Sequence, residues 1–449
     1  MSTSWTALQT ALDQGETTSV ALTEQALAHI ADPAGQGRLV FTQVYAEAAR
    51  SAARASDAVR QAGACRSPLE GVPVSVKDLF DVAGQVTTAG SVVLRDQPAA
   101  QADAGVVQRL RQAGAVLVGK TNMTEFAYSG LGINPHHGTP LNPWQREQAR
   151  IPGGSSSGAA VALSEAMCMI SIGSDTGGSA RIPAAFCGLT GFKPTARRMP
   201  DRGMIPLSPS LDAVGMMAPD VDSLRAVDAV LAGTAPVQRR RGLRQARFAV
   251  PTTVVLDGLD AGVATAWSRA LSQLSAAGAE LVELPVPEFA ELAAINAEGG
   301  FTAVESWAWH ADLLAARADG YDPRVLSRIR RGEPFTARAY VNLQARRRDW
   351  QARVLDRLQG FDAWLMPTVP VVAPRLAELE ADEALYFSTN ALVLRNPSIV
   401  NFLDGCALSL PCHAAGEAPV GLSLAAPALA DEALLDWAQA MAPILQPAA

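Results

Sequence analysis

Residues 151–195 read IPGGSSSGAAVALSEAMCMISIGSDTGGSARIPAAFCGLTGFKPT, and this stretch decides the architecture that we expect. It predicts a helix over 159–167, followed by a buried strand over 168–174. Glycines flank two serines, Ser155 before the helix and Ser179 after the strand. Glycine beside serine lets backbone amides come close to a ligand and point at it. The stretch therefore predicts an α/β framework that presents two serine hydroxyls.

The composition excludes several classes of protein. The 449 residues are 49% hydrophobic and only 18% charged, too few charges for a disordered or nucleic-acid-coating chain. The net charge is −7, so the chain has no overall excess of basic residues of the kind that binds phosphate backbones. We therefore expect a globular protein with no nucleic-acid partner.

The apolar stretches are too short for a membrane protein. The most apolar one, 158–173, is interrupted by Glu165 and falls short of the ~18 residues that span a bilayer. Residues 1–16 lack the charged start and long apolar run of a secretory signal. Five cysteines, never spaced CxxC, indicate free thiols in a reducing compartment. We expect a cytoplasmic protein that does not bind membranes.

Helices and strands alternate on both sides of the opening stretch. Before it, GVPVSVKD predicts a strand that ends near Lys77, and a helix and a buried strand over 115–119 follow. After it, strands are predicted over 248–255 and 280–284, with a helix over 261–278 between them. We expect one domain over 1–449 in which the part at 248–449 completes the same sheet. The arginine-rich segment 236–247 is predicted to be a solvated linker.

The loop that carries Ser179 has two interpretations. Consecutive N–H groups around Gly177 and Gly178 can form an anion-binding nest. Beside a serine hydroxyl, such a nest would stabilise the oxyanion of a tetrahedral intermediate, and losing one donor costs about 3–4 kcal/mol. Alternatively, the segment is a flexible turn without chemistry.

Lys77 is the candidate base for a serine nucleophile. A lysine accepts a proton only when its amine is neutral, so its pKa must fall from about 10.4. Burial at a strand end has this effect, and a fall of three units corresponds to about 4 kcal/mol. The alternative is an ordinary salt bridge to Asp78 or Asp81.

The loop that carries Ser155, GGSSSG, is also open to more than one interpretation. It is compatible with a linker or helix cap, or with a phosphate-binding helix N-terminus. The phosphate-loop pattern GxxxxGK[ST] is absent from the chain. The histidines show no metal-ligand spacing, so we expect no metal site.

An ordered set of segments resembles the amidase signature family of serine hydrolases. The segments are GVPVSVKDLFDVAG, GKTNMTEFAYS, IPGGSSSGAAVA, IGSDTGGSARIPAAFCGLTGFKPT and FDAWLMPTVP. The similarity is tight over about 69–218, the signature core, and looser towards the C-terminus. It implies a single α/β domain, with a large twisted mixed sheet sandwiched between helices.

The resemblance also implies a Ser-Ser-Lys triad. Ser179 corresponds to the nucleophile, Ser155 to a bridging serine held by a cis peptide bond, and Lys77 to the base. The expected chemistry is cleavage of a C–N amide or urea-like bond through an acyl-enzyme, without cofactor or metal.

Further site residues follow from the same resemblance. The backbone amides of Thr176, Gly177, Gly178 and Ser179 correspond to the oxyanion hole. Asp175 and Arg181 correspond to residues that brace this loop.

The substrate is the least defined part of the prediction. The family cleaves small-molecule amides of many kinds, and Ala127, Tyr128 and Ser129 are the expected substrate-binding residues. We expect the pocket to be lined by 122–129, 130–143, 301–310 and 392–405, with at most one of Trp307 and Trp309.

One branch of the family suggests an alternative function. It comprises the A-type subunits of glutamine-dependent tRNA amidotransferases, which act with a partner. The chain departs from that branch around 321–324 and in PSIVNFLDGCALSLP.

Members of the family are often homodimers, although the sequence contains no distinct interface signal.

Overall fold

The structure is a computed structural model that describes residues 4–235, 239 and 241–445. Eleven strands within the described residues form one sheet. They are β1 (Phe41–Val44), β2 (Pro73–Lys77), β3 (Val116–Thr121), β4 (Ile170–Ser174), β5 (Thr190–Lys193), β6 (Val214–Ala218), β7 (Arg247–Pro251), β8 (Glu280–Leu284), β9 (Ala363–Pro367), β10 (Cys406–Pro411) and β11 (Gly421–Ala426).

The α-helices of the described residues lie between and around these strands. They are α1 (Trp5–Asp13), α2 (Ser19–Ala31), α3 (Gly37–Val40), α4 (Ala46–Gln61), α5 (Gly105–Gln112), α6 (Ser157–Ser164), α7 (Arg181–Cys187), α8 (Val221–Ala232), α9 (Ala261–Ala276), α10 (Glu288–Ile295), α11 (Gly300–Arg317), α12 (Pro323–Arg330), α13 (Ala337–Arg357), α14 (Leu376–Ala381), α15 (Glu383–Leu403) and α16 (Asp431–Leu445).

The strand order is β1-β3-β2-β4-β6-β5-β10-β11-β9-β7-β8. β2 runs parallel to β3 and β4, and β7 runs parallel to β8 and β9. The other neighbouring strands are antiparallel. The sheet is therefore mixed, and its C-terminal strands extend the sheet that the first six strands begin.

Helices cover both faces of the sheet. Along β3, Leu117 belongs to one hydrophobic cluster, and Val116 and Val118 belong to another. Because successive side chains of a strand point to opposite faces, burial of both sets requires a layer on each side. The predicted single-domain fold, a large mixed sheet between helices, is confirmed.

β2 and β4 bring the candidate site residues to one edge of the sheet. The two strands are parallel, and Val76 lies opposite Ile172. Their carboxyl ends, Lys77 and Ser174, therefore lie side by side. The loop that carries Ser179 starts at this edge, because it connects β4 to α7. The loop that carries Ser155 precedes α6 and meets the same edge, where Ser155 contacts Lys77.

Some predicted boundaries were wrong. β1 is not predicted from the sequence, because its four residues are too few for an alternating pattern. β7 ends at Pro251 rather than at 255, because Val254 has φ 68°, which a strand does not allow. Residues 236–238 and 240 of the predicted linker lie outside the described residues, so the linker and the bounds of the signature core stay predictions.

Candidate active site

Lys77 is fully buried at the end of β2 and contacts two serines. Its Nζ donates to Ser155 Oγ at 2.7 Å and to Ser174 Oγ at 2.8 Å. The neighbouring Asp78 instead lies 3.4 Å from Lys120 Nζ, so the alternative of a Lys77–Asp78 salt bridge is wrong.

Asp81 does not pair with Lys77 either. It accepts a hydrogen bond from Thr87 at 2.7 Å. In the described part of the chain, the Lys77 amine therefore has hydroxyl oxygens as its hydrogen-bond acceptors and no carboxylate.

Burial governs the charge of this amine. It lowers the pKa of Lys77 from its ordinary value to about 7, although the charges of Asp175 and Asp212 act in the opposite direction. Desolvation disfavours the ammonium form because a fully buried charge loses the hydration that it has in bulk water. A large fraction of Lys77 is therefore neutral near pH 7 and able to accept a proton.

Ser155 is held on both sides by backbone contacts. A cis peptide bond joins Gly154 to Ser155. The carbonyl of Ser155 accepts a hydrogen bond from the Thr124 amide at 3.0 Å. A Cβ at Gly154 would lie 2.6 Å from the backbone nitrogen of Gly132, so only glycine fits before this serine.

Ser179 lies on the adjoining loop, at the wall of a cavity. The Ser156 amide donates to the Ser179 carbonyl at 3.2 Å, which links the two serine loops. Among the described residues, however, no hydrogen bond joins the hydroxyls of Ser155 and Ser179. Catalytic hydrogen bonds are often long before a substrate binds, so this gap is compatible with a relay.

Three of the four predicted oxyanion-hole amides are free to bind a ligand. Within the described chain, the N–H groups of Thr176, Gly177 and Ser179 donate to no protein acceptor. The Gly178 amide instead donates to Asp175 Oδ1 at 2.9 Å. Gly178 has φ 118°, and a Cβ there would lie 2.6 Å from Pro397 Cγ, so its role is to let the loop turn.

Asp175 and Arg181 brace this loop as a buried ion pair. Arg181 Nε and Nη2 donate to the two carboxylate oxygens at 3.0 and 2.9 Å, and Asn401 Nδ2 donates to Asp175 Oδ1 at 3.0 Å. Burial raises the pKa of Asp175, but the charge and hydrogen bonds of Arg181 outweigh it and bring the pKa to about 2. The carboxylate therefore stays ionised and holds the Gly178 amide.

Asp212 is a site residue that sequence reasoning missed. Thr176 Oγ1 donates to Asp212 Oδ1 at 2.5 Å, and the amides of Leu207 and Ser208 donate to Oδ2 at 3.0 Å. Burial raises its pKa to about 7, although the Thr176 hydrogen bond acts against the shift. The sequence carries no direct signal for this contact, because it arises from the pairing of β4 with β6, Ser174 with Val214, which brings the residues just before β6 beside Thr176.

A cavity of about 510 Å³ opens at Ser179, a size typical of small-molecule sites. We call the hydrogen-bonded group of Lys77, Ser155, Ser174 and 175–181 the serine wall, because three of its residues, Thr176, Gly177 and Ser179, line the cavity. The cavity-lining residues of α10, α11, α12 and α15 form what we call the helical wall, and they include Phe289, Leu292, Phe301, Arg328, Leu394 and Arg395.

Several of the residues predicted for the pocket line the cavity, and their role in substrate binding stays a prediction. Ala127, Tyr128 and Ser129 line the cavity, as do residues from 301–302 and 394–402. Segment 130–143 contributes none of the described lining residues, and α10 was missed. Both tryptophans pack elsewhere: Trp309 lies against Phe126, with ring centroids 5.9 Å apart.

The described residues contain neither a metal-binding cluster nor a helix that could span a membrane. No three His, Cys, Asp or Glu side chains come together there in a group that would hold a metal ion. Among the described helices, none combines the length and apolar character needed to cross a bilayer.

The similarity to known proteins covers almost the whole chain. The sequence model of the Amidase family matches residues 22–435. The chain is 38% identical to 2-amino-5-chloromuconic acid deaminase of Comamonas testosteroni, covering 86% of this chain and 84% of that protein. It is 33% identical to the A-type subunit of the glutamyl-tRNA(Gln) amidotransferase of Chloroflexus aggregans, covering 93% of this chain and 91% of that protein.

A solved structure agrees with these relatives in fold. A crystal structure of an amidase superimposes with a TM-score of 0.86 at 32% identity, covering 97% of this chain and 98% of that one. The resemblance predicted from the ordered segments is thus confirmed: the chain belongs to the amidase signature family and is a hydrolase of carbon–nitrogen bonds.

Proposed function

We propose that the protein is an amidohydrolase that cleaves the C–N bond of a small-molecule amide through an acyl-enzyme on Ser179. One observation carries the proposal: the buried Lys77 amine lies 2.7 Å from Ser155 Oγ, beside the loop of Ser179. A buried amine that is partly neutral near pH 7 is suited to general-base catalysis.

The first half of the reaction forms the acyl-enzyme. Ser179 Oγ attacks the amide carbon, its proton passes to Ser155 Oγ, and the Ser155 proton passes to Lys77 Nζ. The C–N bond then breaks as the same relay returns a proton to the leaving nitrogen. Ammonia or an amine departs, and the acyl group stays as an ester on Ser179.

The second half releases the product. Water replaces the amine, loses its proton through the same relay and attacks the ester carbon, which yields a carboxylic acid and regenerates the Ser179 hydroxyl. In both halves, the free amides of Thr176, Gly177 and Ser179 would stabilise the oxyanion. The ion pair of Asp175 with Arg181 keeps these amides in position.

The decisive experiment compares two serines. Ser179→Ala is expected to lower kcat by at least about 10⁴-fold, because loss of a serine nucleophile leaves only binding and electrostatic contributions. Ammonia release from a panel of primary amides and ureas measures the effect.

Ser157→Ala is the matched control, because Ser157 lies in the same GGSSSG loop and its buried hydroxyl has no hydrogen-bond partner among the described residues. A Ser179→Ala protein that melts normally and retains full activity would overturn the proposal.

A second candidate is an amidase that depends on a partner chain, as in tRNA amidotransferases. The observation in its favour is the 33% identity to the A-type subunit of the Chloroflexus aggregans amidotransferase, over 93% of this chain. Purified protein that hydrolyses amides alone would exclude it. Inactivity that a co-purifying chain restores would favour it. The cytoplasmic location and the homodimer stay predictions.

A further inference from the structure

A buried glutamate behind the cavity joins its own turn to three other segments. Glu125 is fully buried and is not one of the described residues that line the cavity. Its Oε1 accepts hydrogen bonds from Ser91 Oγ at 2.6 Å and from His136 Nε2 at 2.8 Å. Its Oε2 accepts one from the Asp322 amide at 2.8 Å. Glu125 can therefore affect a substrate only through the segments that it holds.

The backbone that follows Glu125 depends on such contacts. Phe126 has φ 48° and Ala127 has φ 60°, in the left-handed region that residues other than glycine seldom adopt. A conformation of this kind persists only where the surroundings hold it. The Phe126 ring packs against Tyr321, with ring centroids 5.3 Å apart. Because 127–129 line the cavity, these contacts also fix part of its wall.

Helix α12 is joined to the same segment at two points. At its start, Asp322 Oδ1 accepts from the Arg324 amide at 2.9 Å, while the Asp322 amide donates to Glu125. Further along the helix, Arg328 Nη1 donates to the Tyr128 carbonyl. Two contacts at separate points fix both the distance and the orientation of the helix relative to the segment. Two parts of the cavity wall are thereby held as one unit.

His136 is the partner that gives Glu125 a charge-dependent contact. Its side chain is 16% exposed, so protons from solvent reach it. The hydrogen bond to Glu125 raises the pKa of His136, as do the charges of Glu125 and Asp322, whereas burial and the charge of Arg95 oppose the shift. The neighbouring His137 has its pKa lowered by burial. The ion pair of His136 with Glu125 is therefore complete below the ordinary pKa of 6.5 and is lost as the pH rises through the raised value.

We propose that Glu125 is a positioning residue: it holds segment 127–129 against the start of α12, and His136 strengthens this hold when it is protonated. A hydrogen bond between charged groups is roughly twice as strong as a neutral one, so loss of the proton loosens the wall without breaking the contact. The inference rests on the proposed function, because the segment and the helix then contact the amide substrate. A looser wall weakens binding, whereas the serine relay is unchanged.

Steady-state kinetics separates binding from chemistry. Hexanamide and benzamide do not titrate between about pH 6 and pH 9, and the parent KM for them is expected to rise about threefold or more over this range. Glu125→Gln should raise KM at the acid end by about tenfold and keep kcat within about threefold, because its single acceptor oxygen leaves a donor unpaired. Glu125→Asp keeps the charge and should keep part of the pH dependence. His136→Gln should hold KM at its alkaline value at every pH.

Two matched controls remove similar groups from other places. His137→Gln removes the adjacent imidazole, whose buried Nε2 has no hydrogen-bond partner among the described residues, and it should keep the pH dependence of KM. Glu70→Gln removes an equally buried carboxylate, which binds Arg66 and precedes β2, at the opposite end of that strand from Lys77. It should keep the parent KM even where its melting temperature falls.

Hydrogen exchange measures the hold without any turnover. In Glu125→Gln, the amides of 127–129 and 322–330 are expected to exchange at least about tenfold faster than in the parent, with those of β10 unchanged. Any of four results would overturn the inference: unchanged exchange at these amides, a loss confined to kcat, a parent KM that does not vary with pH, or a pH dependence of KM that survives His136→Gln. A parent protein that hydrolyses no amide would contradict the proposed function instead, and the exchange rates would still decide the inference.

Discussion

The serine wall and the helical wall of the cavity are stabilised by different interactions. The serine wall consists of buried polar groups joined by hydrogen bonds: Lys77 to Ser155 and Ser174, and Asp175 to Arg181. The helical wall consists mainly of apolar side chains that pack without directional contacts, such as Phe289 and Leu292. Directional bonds fix positions to within fractions of an ångström, whereas apolar packing fixes shape and volume. Changes in the first wall should therefore lower kcat, and changes in the second should alter KM and substrate preference.

The largest effect within this comparison is expected for Lys77→Met. It removes the proton acceptor while it keeps a long buried side chain, so kcat should fall by about 10³-fold. Steady-state kinetics on a neutral amide measures the effect.

The control for this variant is Lys193→Met, because Lys193 is also buried but donates only to the carbonyls of Pro194 and Gly405. Folded Lys193→Met protein should retain kcat within about tenfold of the parent, since no proton-transfer step uses this amine. Equal losses in both variants would show that the Lys77 effect is structural.

The next largest effect is expected for Gly178→Ala. The new Cβ would lie 2.6 Å from Pro397 Cγ at a backbone with φ 118°, so the loop must move and the amides of Gly177 and Ser179 move with it. Misplaced oxyanion donors lower kcat by about 10²-fold, with little change in KM.

Gly63→Ala provides the matched control, because Gly63 has φ 67° with no neighbouring atom within 4 Å of the added Cβ. This variant measures the effect of placing alanine at a positive φ without a steric clash. A Gly178→Ala enzyme with unchanged kcat would contradict the placement of the oxyanion hole.

The pH dependence of kcat/KM should report on the serine wall as well, through the protonation of Lys77. Burial brings the pKa of Lys77 to about 7, so the amine is mostly neutral above pH 7 and mostly protonated below it. Only the neutral form accepts a proton, and kcat/KM on a neutral amide should fall about tenfold per pH unit from pH 7 to pH 5.

Asp212 also has a pKa raised by burial to about 7, so it must be separated from Lys77. An acid limb that persists in Asp212→Asn supports Lys77 as its source. Disappearance of the limb in that variant would assign it to the aspartate instead.

The smallest effect is expected on the helical wall. Leu292→Ala enlarges the cavity that Ser179 lines, and the lost contacts should raise KM for amides with an apolar chain by about threefold to tenfold, with kcat retained. Leu355→Ala is the control, since this leucine of α13 is 36% exposed and does not line the cavity. A fall in kcat with unchanged KM in Leu292→Ala would contradict the expected difference between the two walls.

The two walls also differ in how well the sequence predicts them. Glycine, serine and lysine at strand ends carry their chemistry in the residue type, and the ordered family segments single out Lys77, Ser155 and Ser179 as candidates before any fold is known. Phe289 and Leu292 have side chains like those of any core residue, and nothing in their sequence distinguishes a cavity wall from packed interior. For the same reason, Trp307 and Trp309 were candidates for a wall to which they do not belong.

Local sequence by itself determined the α/β alternation, the strand that ends at Lys77 and the two glycine-flanked serine loops, because each depends on residues close along the chain. Tertiary structure decided the charge of Lys77, since its pKa depends on burial by distant segments. It also decided that Asp175 occupies the Gly178 amide and that Asp212 lies beside Thr176. Desolvation and hydrogen-bond pairing depend on three-dimensional neighbours, and a single sequence contains no direct record of them.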